Sequence, residues 1–232
     1  MTGAGSVAAA RSETLRTGGG VTPTSALHQL RVAPIPYRFA REILVREHYL
    51  HSMPGGTYLA FGVFAEGRLL GALAFGVGPK NAHALVGGAS SDSAMTLTRY
   101  WLNDELPPNS ESRVLGIVLR ALRRDTSLDF VLSYADPSVG HVGTIYQATG
   151  WIYTGMSQSM PLYDVGDGVP RHSRTLSHAL GTHSKKHLRA HGIPIKALSQ
   201  GRKHRYVYFL NPGRRSQLRV PEMPYPGRAV EQ

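Results

Sequence analysis

The chain has 232 residues and a formal net charge of +11, from 26 Lys and Arg against 15 Asp and Glu. Cysteine is absent, which excludes a disulfide framework, a thiol nucleophile and any thiolate metal site. The length suits one ordinary domain with a small appendage, and no run approaches the ~18 apolar residues that cross a bilayer. The charge is unevenly spread. Residues 1–170 hold 13 basic and 13 acidic side chains, whereas residues 171–232 hold 13 and 2, with six of the eleven histidines. A basic segment on a neutral body points to a polyanion such as nucleic acid. The plain alternative is a solvated tail that only aids solubility.

In chain order, residues 1–30 are rich in Gly, Ala, Ser and Thr and read as a disordered leader. Their lack of an apolar signal core fits a cytoplasmic protein. Tyr37–His51 carries Phe39, Ile43, Leu44 and Leu50 near helical spacing. Tyr58–Phe64 and Leu69–Val77, joined by Glu66-Gly67, read as a hairpin. Ala94–Leu102 alternates as a third strand. Pro107-Pro108-Asn109 turns into a helix from Ser110 to about Arg124. Leu128–Tyr134 is a buried-type strand. His141–Thr149 reads as a short helix ended by Gly150, and Trp151–Gly155 and Met160–Val165 as short strands. The order gives an α/β (α+β) fold, a mixed central sheet flanked by helices. The core is expected over 31–165. A basic extension over 166–211 completes it, with helical pieces near Arg174–Ala179 and Ser184–Ala190 and an apolar run at Tyr206–Leu210. An irregular tail follows over 212–232.

Two places could carry chemistry. At Asn109-Ser110-Glu111-Ser112 a helix begins, and its unpaired backbone N–H groups, with the Ser110 and Ser112 hydroxyls, suit a pyrophosphate. The same residues also suit an ordinary N-cap. Further on, Ser133-Tyr134-Ala135-Asp136 and His141 to Trp151 gather Ser, Asp, His and Tyr where a buried strand meets a helix, the place where α/β proteins put ligands. Asp136 is equally a loop or cap residue there, and Tyr146 a core aromatic. His183, His187 and His191 are spaced to align on a helix. Lys185, Lys186 and Arg189 surround them, so no metal site is expected.

Tyr146-Gln-Ala-Thr-Gly150-Trp151 resembles the Tyr-x-x-x-Gly-aromatic signature of GNAT acyltransferases, although the usual glycine-rich pyrophosphate motif is missing. The longer string from Ser133 to Gly155 is more specific. With His48-Tyr49, Leu97-Thr98-Arg99, Asn109-x-x-Ser112 and Lys203-His204-Arg205-Tyr206-Val207-Tyr208, it resembles the Mom family of phage DNA-modification proteins, a divergent GNAT-like branch. The likeness runs from about Arg41 to Leu210. It implies transfer of a carbamoylmethyl group to N6 of adenine in DNA, which shields phage DNA from restriction in the host cytoplasm. It also implies a site of His48, Tyr49, Arg99, Ser112, Ser133, Asp136 and Tyr146, with Asn109 and Ser110 beside it.

In that reading Asp136 is the general base or amine-orienting group and His48 the second candidate. Tyr146 is the acid to a leaving thiolate, and Ser133 and Tyr49 hold an acyl oxygen or the base edge. Arg99, Asn109, Ser110 and Ser112 meet the phosphates of acetyl-CoA or a related activated acyl or aminoacyl donor. Lys185, Lys186, Arg189, Lys203, His204 and Arg205 grip DNA from which the base is flipped. An acetyl group alone would leave an amide at N6, so an activated glycine is a chemically attractive donor. Two other readings remain: a GNAT-like acyltransferase acting on tRNA, a nucleotide or a hypermodified base, and an inactive DNA-binding relative. No membrane partner is expected.

Overall fold

A computed structural model describes residues 13–14, 30–159, 161–182, 184–199 and 201–227. The expected leader lies outside these residues except for Glu13–Thr14 and Leu30, and so does His183. The described chain divides into two compact units.

The first unit contains the described residues up to Tyr134, then Gly143–Gly155 and Arg205–Gly227. In chain order its elements are β1 (Glu13–Thr14), β2 (Arg31–Pro34), α1 (Tyr37–Glu47), β3 (Thr57–Ala65), β4 (Arg68–Gly76), β5 (Ala94–Leu102), α2 (Ser110–Asp125), β6 (Phe130–Ala135), α3 (Thr144–Ala148) and β7 (Ile152–Met156). The last strand, β11 (His204–Phe209), returns late in the chain. Together these strands form one sheet in the order β1-β2-β3-β4-β5-β6-β11-β7. Strands β1 to β5 pair antiparallel, and β5 pairs parallel with β6. This is the mixed sheet flanked by helices that the sequence leads one to expect.

Local chemistry explains the elements. Glu66 and Gly67 both take positive φ, 51° and 74°, as the tight turn that matches strand twist requires. Helix α1 buries Ala40, Ile43 and Leu44 against Ala60, Ala72 and Ala74, small residues that let the helix lie close to the sheet. Trp101 packs into this cluster, while its neighbour Tyr100 reaches Glu111 of α2. Successive strand residues point to opposite faces, so α1 and α2 cover opposite faces. Helix α2 buries Val114, Leu115, Ile117, Val118, Leu119 and Leu122. Side chains of this kind contribute roughly 1.5–3 kcal/mol each when fully buried.

Two boundaries differ from the sequence expectation. Helix α1 stops at Glu47 because His48 turns extended (φ −75°, ψ 135°). Helix α3 starts at Thr144, after Gly143 at φ 77°. The tail from Pro212, expected to be irregular, is bound. A 3-10 turn over Pro212–Gln217 begins at Asn211, whose side chain accepts the Gly213 N–H. Leu218 bridges Val86. The Met223 N–H donates to Tyr153 O (2.9 Å) along the edge strand β7, and Tyr225 OH donates to Trp151 O (2.6 Å).

The second unit contains Ala135–Val142 and the described part of Met156–His204. Its elements are β8 (Pro161–Asp164), β9 (Arg171–His172), α4 (Ser173–Leu180), α5 (Lys185–Ala190) and β10 (Lys196–Ser199). The three strands form a separate antiparallel sheet in the order β10-β8-β9. The units run across the linear divisions expected at 165/166 and 211/212: β8 pairs with β9 and β10 of the basic segment, while β11 joins the main sheet and the tail groups with the first unit. Helix α5 buries Leu188 and leaves Lys185, Lys186, His187 and Arg189 exposed.

Candidate active site

The parallel pair β5/β6 shares four residue pairs, from Ala94↔Phe130 to Leu97↔Ser133. Strand β5 continues to Leu102 with no β6 partner. At the same point it is bulged toward β4: Leu97 opposes Phe75 and Arg99 opposes Ala74, so Thr98 has no opposite. A bulge bends its strand and re-aims the side chains beyond it. The central strands thus part at Leu97 and Ser133, opening backbone in the middle of a sheet.

Ser133 and Tyr146 meet at this parting. Ser133 is 1% exposed and its hydroxyl lies 3.1 Å from Leu97 O and 2.7 Å from Tyr146 OH. The Ser133 hydroxyl donates toward both oxygens, the shorter contact being to the Tyr146 phenol oxygen, which leaves that phenol its own proton to give. Burial pushes the Tyr146 pKa up to about 12, with Ser133 pulling it slightly back. The phenol is therefore a neutral acid across physiological pH. Helix α3 aims it. Tyr146 packs against the rings of Trp151 (5.0 Å) and Tyr206 (5.1 Å). A Cβ on Gly143 would stand 2.5 Å from the Tyr206 ring, so glycine is needed there for space as well as for φ.

His48 and Tyr49 follow the end of α1 and their rings stack at 4.4 Å. The Leu50 N–H donates to His48 Nδ1 (3.2 Å). Nδ1 therefore carries no hydrogen, and the neutral ring holds its proton on Nε2. His48 is thus a donor at Nε2, not the proton acceptor that a second general base would be. Arg99 donates to Ser52 O (2.8 Å), Thr98 O (2.7 Å) and Ser52 Oγ (3.4 Å). These are neutral acceptors, and burial lowers the Arg99 pKa while Tyr49 nearby raises it. Tyr49 also raises the pKa of Tyr146. His48, Tyr49, Arg99, Ser133 and Tyr146 all belong to the sheet unit.

The Asn109 turn is the second part of this unit's chemistry. Asn109 takes a left-handed conformation (φ 66°), and no side chain caps the helix that follows. Ser110 Oγ donates to Pro107 O (2.6 Å) and Ser112 Oγ to Asn109 O (3.1 Å). Their hydrogens are thus committed to carbonyls of the turn. What α2 offers an anion is its first-turn backbone N–H groups and dipole, a donor set that fits the phosphates of a coenzyme. Tyr100, which sequence reasoning missed, ties this turn to the parted strand by donating to Glu111 O (2.7 Å). Burial holds its pKa well above the usual range. The only sequence signal for it is its place beside Arg99.

Asp136 lies in the second unit. Oδ1 accepts the Ser138 N–H (3.0 Å) and hydroxyl (2.6 Å), and Oδ2 pairs with Lys203 Nζ (2.9 Å). Burial alone would raise its pKa, but the bonds from Ser138 and Lys203 outweigh it, and the pKa falls below the ordinary value. Asp136 is accordingly a firmly ionised anion and a weak base. Its partner Lys203 lies 67 positions away in sequence, with no local signal to predict the pair.

The family model described as the Mom protein family matches residues 29–227. The chain belongs to the Mom family. It is 32% identical over 210 residues to the methylcarbamoylase Mom of Escherichia phage Mu, a match that covers 85% of this chain and 84% of that protein. Among solved structures it resembles FeeM, an N-acyl amino acid synthase from uncultured soil microbes, at 14% identity and a TM-score of 0.46, over 82% of this chain and 95% of that one. It also resembles RimL, the ribosomal L7/L12 alpha-N-protein acetyltransferase, in complex with coenzyme A. That likeness is 11% identity and a TM-score of 0.37, over 75% and 69%.

The cations expected to contact DNA fall into two groups in this Mom-family chain. Lys185, Lys186 and Arg189 are exposed on α5, where Lys185 Nζ lies over the Tyr163 ring. Lys203 is paired with Asp136. Arg205 donates to Thr154 Oγ1 (2.8 Å) and Thr154 O (3.0 Å), and burial lowers the pKa of His204. Among the described residues no cluster of His, Asp or Glu could hold a metal ion, and no helix is long and apolar enough to cross a membrane.

Proposed function

We propose that the protein is a Mom-type transferase that places a carbamoylmethyl group on N6 of adenine in DNA. The observation that carries this reading is the Tyr146–Ser133–Leu97 relay at the parting of β5 and β6, in a chain of this family. Acyl transfer to an amine needs an acid for the leaving group. A buried phenol that stays protonated past neutral pH supplies one, and the hydrogen bond it accepts from Ser133 fixes the oxygen that carries the proton.

The other residues take roles that their bonding allows. The first turn of α2, shaped by Asn109, Ser110 and Ser112, binds the phosphates of an activated acyl donor, which supplies the electrophilic carbon. His48 Nε2–H and Arg99 donate to developing negative charge. Tyr49 borders the base, with its ring stacked on His48. Asp136, in the second unit, is held as an anion by Ser138 and Lys203, so it suits orienting an amine rather than accepting its proton. Adenine N6 lies inside the duplex stack, so the base is turned out to be reached. Exposed Lys185, Lys186 and Arg189 hold the backbone, with affinity that falls with salt. Lys203, paired with Asp136, and Arg205, bonded to Thr154, are tied to the protein itself.

The test is nucleoside mass spectrometry on DNA from cells making the protein, with Asp136→Ala and empty-vector controls. A new deoxyadenosine species heavier by a carbamoylmethyl group, and lost in the variant, is the expected result. Unmodified DNA from soluble, folded protein would overturn the assignment and direct attention to RNA and nucleotide pools.

A further inference from the structure

The bonding in the sheet unit bears on a chemical question that the proposed product raises. The added group is N6–CH2–C(O)NH2, an alkylated amine that ends in a primary amide. Joining N6 to the methyl carbon of an acetyl group would remove two electrons and so require an oxidant. Direct displacement at an activated CH2 is redox-neutral, but it puts positive charge on N6 and calls for a base. The side chains around the parted strands have the opposite polarity. Tyr146 presents O–H, held by Ser133 at 2.7 Å. His48 carries its proton on Nε2, because Nδ1 accepts from Leu50. Arg99 is bonded to neutral oxygens that leave its charge unneutralised. Such a set stabilises electron density that accumulates on a carbonyl oxygen or a purine ring nitrogen.

We propose that this site transfers a glycyl group from an activated glycyl ester or thioester to adenine N6 and then isomerises the product, so that the nitrogen of the terminal amide is the adenine's original N6. The inference rests on the Mom-type reading above and names its donor class and bond order. In the first step N6 attacks the glycyl carbonyl. The bond from that carbonyl to the carrier oxygen or sulfur breaks, and the carrier leaves with a proton from Tyr146. The N6 proton restores Tyr146 through solvent. The result is N6-glycyladenine, an ordinary acyl-transfer product.

In the second step the glycyl amine attacks C6. An α-amino group has a pKa near 8, so a substantial share is neutral at physiological pH and no strong base is needed. Attack closes a five-membered ring through C6, N6, the carbonyl carbon, CH2 and the amine nitrogen. Electron density moves into the purine ring, where hydrogen-bond donors of this kind stabilise it. The bond from C6 to the original N6 then breaks, and that nitrogen leaves as the carboxamide, taking the proton released by the incoming amine. No atom or electron is gained or lost in this isomerisation. It ends with C6–NH–CH2–C(O)NH2, the product of the first reading. Acyl transfer, the chemistry that a protonated phenol at parted strands suits, is the only group transfer required.

The experiment uses the full-length protein and a duplex oligonucleotide with 15N at the exocyclic position of its adenines. In one arm the donor is glycyl-tRNA, in the other the glycyl thioester of coenzyme A. The modified nucleoside is isolated and its amide hydrolysed to ammonia. The expected result is product in one arm, which identifies the carrier, with nearly all the 15N released as ammonia. Heavy nitrogen retained on the purine would overturn the isomerisation. Absence of product in both arms, from protein that modifies DNA in cells, would overturn the glycyl donor while leaving the Mom-type reading intact. If DNA in cells is also unmodified, the underlying reading has failed and the inference falls with it.

Discussion

In the sheet unit the hydroxyls of Ser133 and Ser110 and the Tyr146 phenol are withdrawn from water. Ser133 is 1% exposed, Ser110 2%, and both hydroxyls donate to main-chain carbonyls. On α5 of the second unit the cations stand in solvent and only Leu188 is anchored. The contrast follows from what each kind of contact needs. A proton donor gains strength and direction in a low-dielectric setting, where its bonds are few and fixed. A cation that meets a polyanion acts by releasing counterions, which requires neither burial nor precise geometry. One chain can hold both because the exposed cations of α5 and the buried hydroxyls stand on different elements.

The largest expected effect lies in the sheet unit. Tyr146→Phe keeps the ring packing and removes the proton, so DNA modification should fall about 10² to 10⁴-fold, with the thermal midpoint nearly unchanged. Equal activity in the two proteins would break the division of labour. The same phenol predicts a pH dependence. Its folded pKa, about 12, lies above the ordinary value of 10. Its contribution is therefore fully present below pH 10 and is lost as pH rises through 12. A shift of that size corresponds to about 3 kcal/mol. Chemical denaturation across this range should show a larger loss in the parent protein than in Tyr146→Phe, which keeps the raised phenol of Tyr100.

Packing gives the next effect. Gly143→Ala forces a side chain toward the Tyr206 ring and strains a positive φ, at a cost of about 2–4 kcal/mol. Denaturant midpoints should report it, and a stability equal to the parent would show that α3 is held elsewhere. Smallest in stability, though not in binding, is the triple replacement of Lys185, Lys186 and Arg189 by Ala. Its melting should match the parent, while the slope of log affinity against log salt becomes shallower by up to about 3. Lys203→Gln sharpens the contrast. Lys203 is committed to Asp136, so this change should move the salt slope less than the exposed cations do.

The sequence made much of the core legible. The hairpin was marked by Glu66-Gly67, β5 by its alternation to the exact residues, and α2 by its apolar face and the Pro-Pro-Asn turn. These signals are local, and local geometry writes them. The relay of Tyr146, Ser133 and Leu97 was half visible: the residue types stood out, but the proton's direction depends on a carbonyl that no side-chain pattern reveals. The Asp136–Lys203 pair and the bound tail were not legible, because both join segments far apart in sequence. A tail of Pro, Gly and Arg looks irregular by composition and is irregular in its backbone. What holds it are main-chain bonds to strands formed long before it.

Strand β11 lies between β6 and β7 in the sheet, yet it is the last strand to leave the ribosome. Until residues 204–209 emerge, β6 has one open edge and β7 has no neighbour at all. The ring of Tyr206 against which α3 is set is likewise missing. The molecule therefore cannot assemble its acid from the first two thirds of its own chain. Closure is a late, long-range event, of the kind that slows folding, and a protein stopped short of it would carry an exposed strand edge in place of an active site.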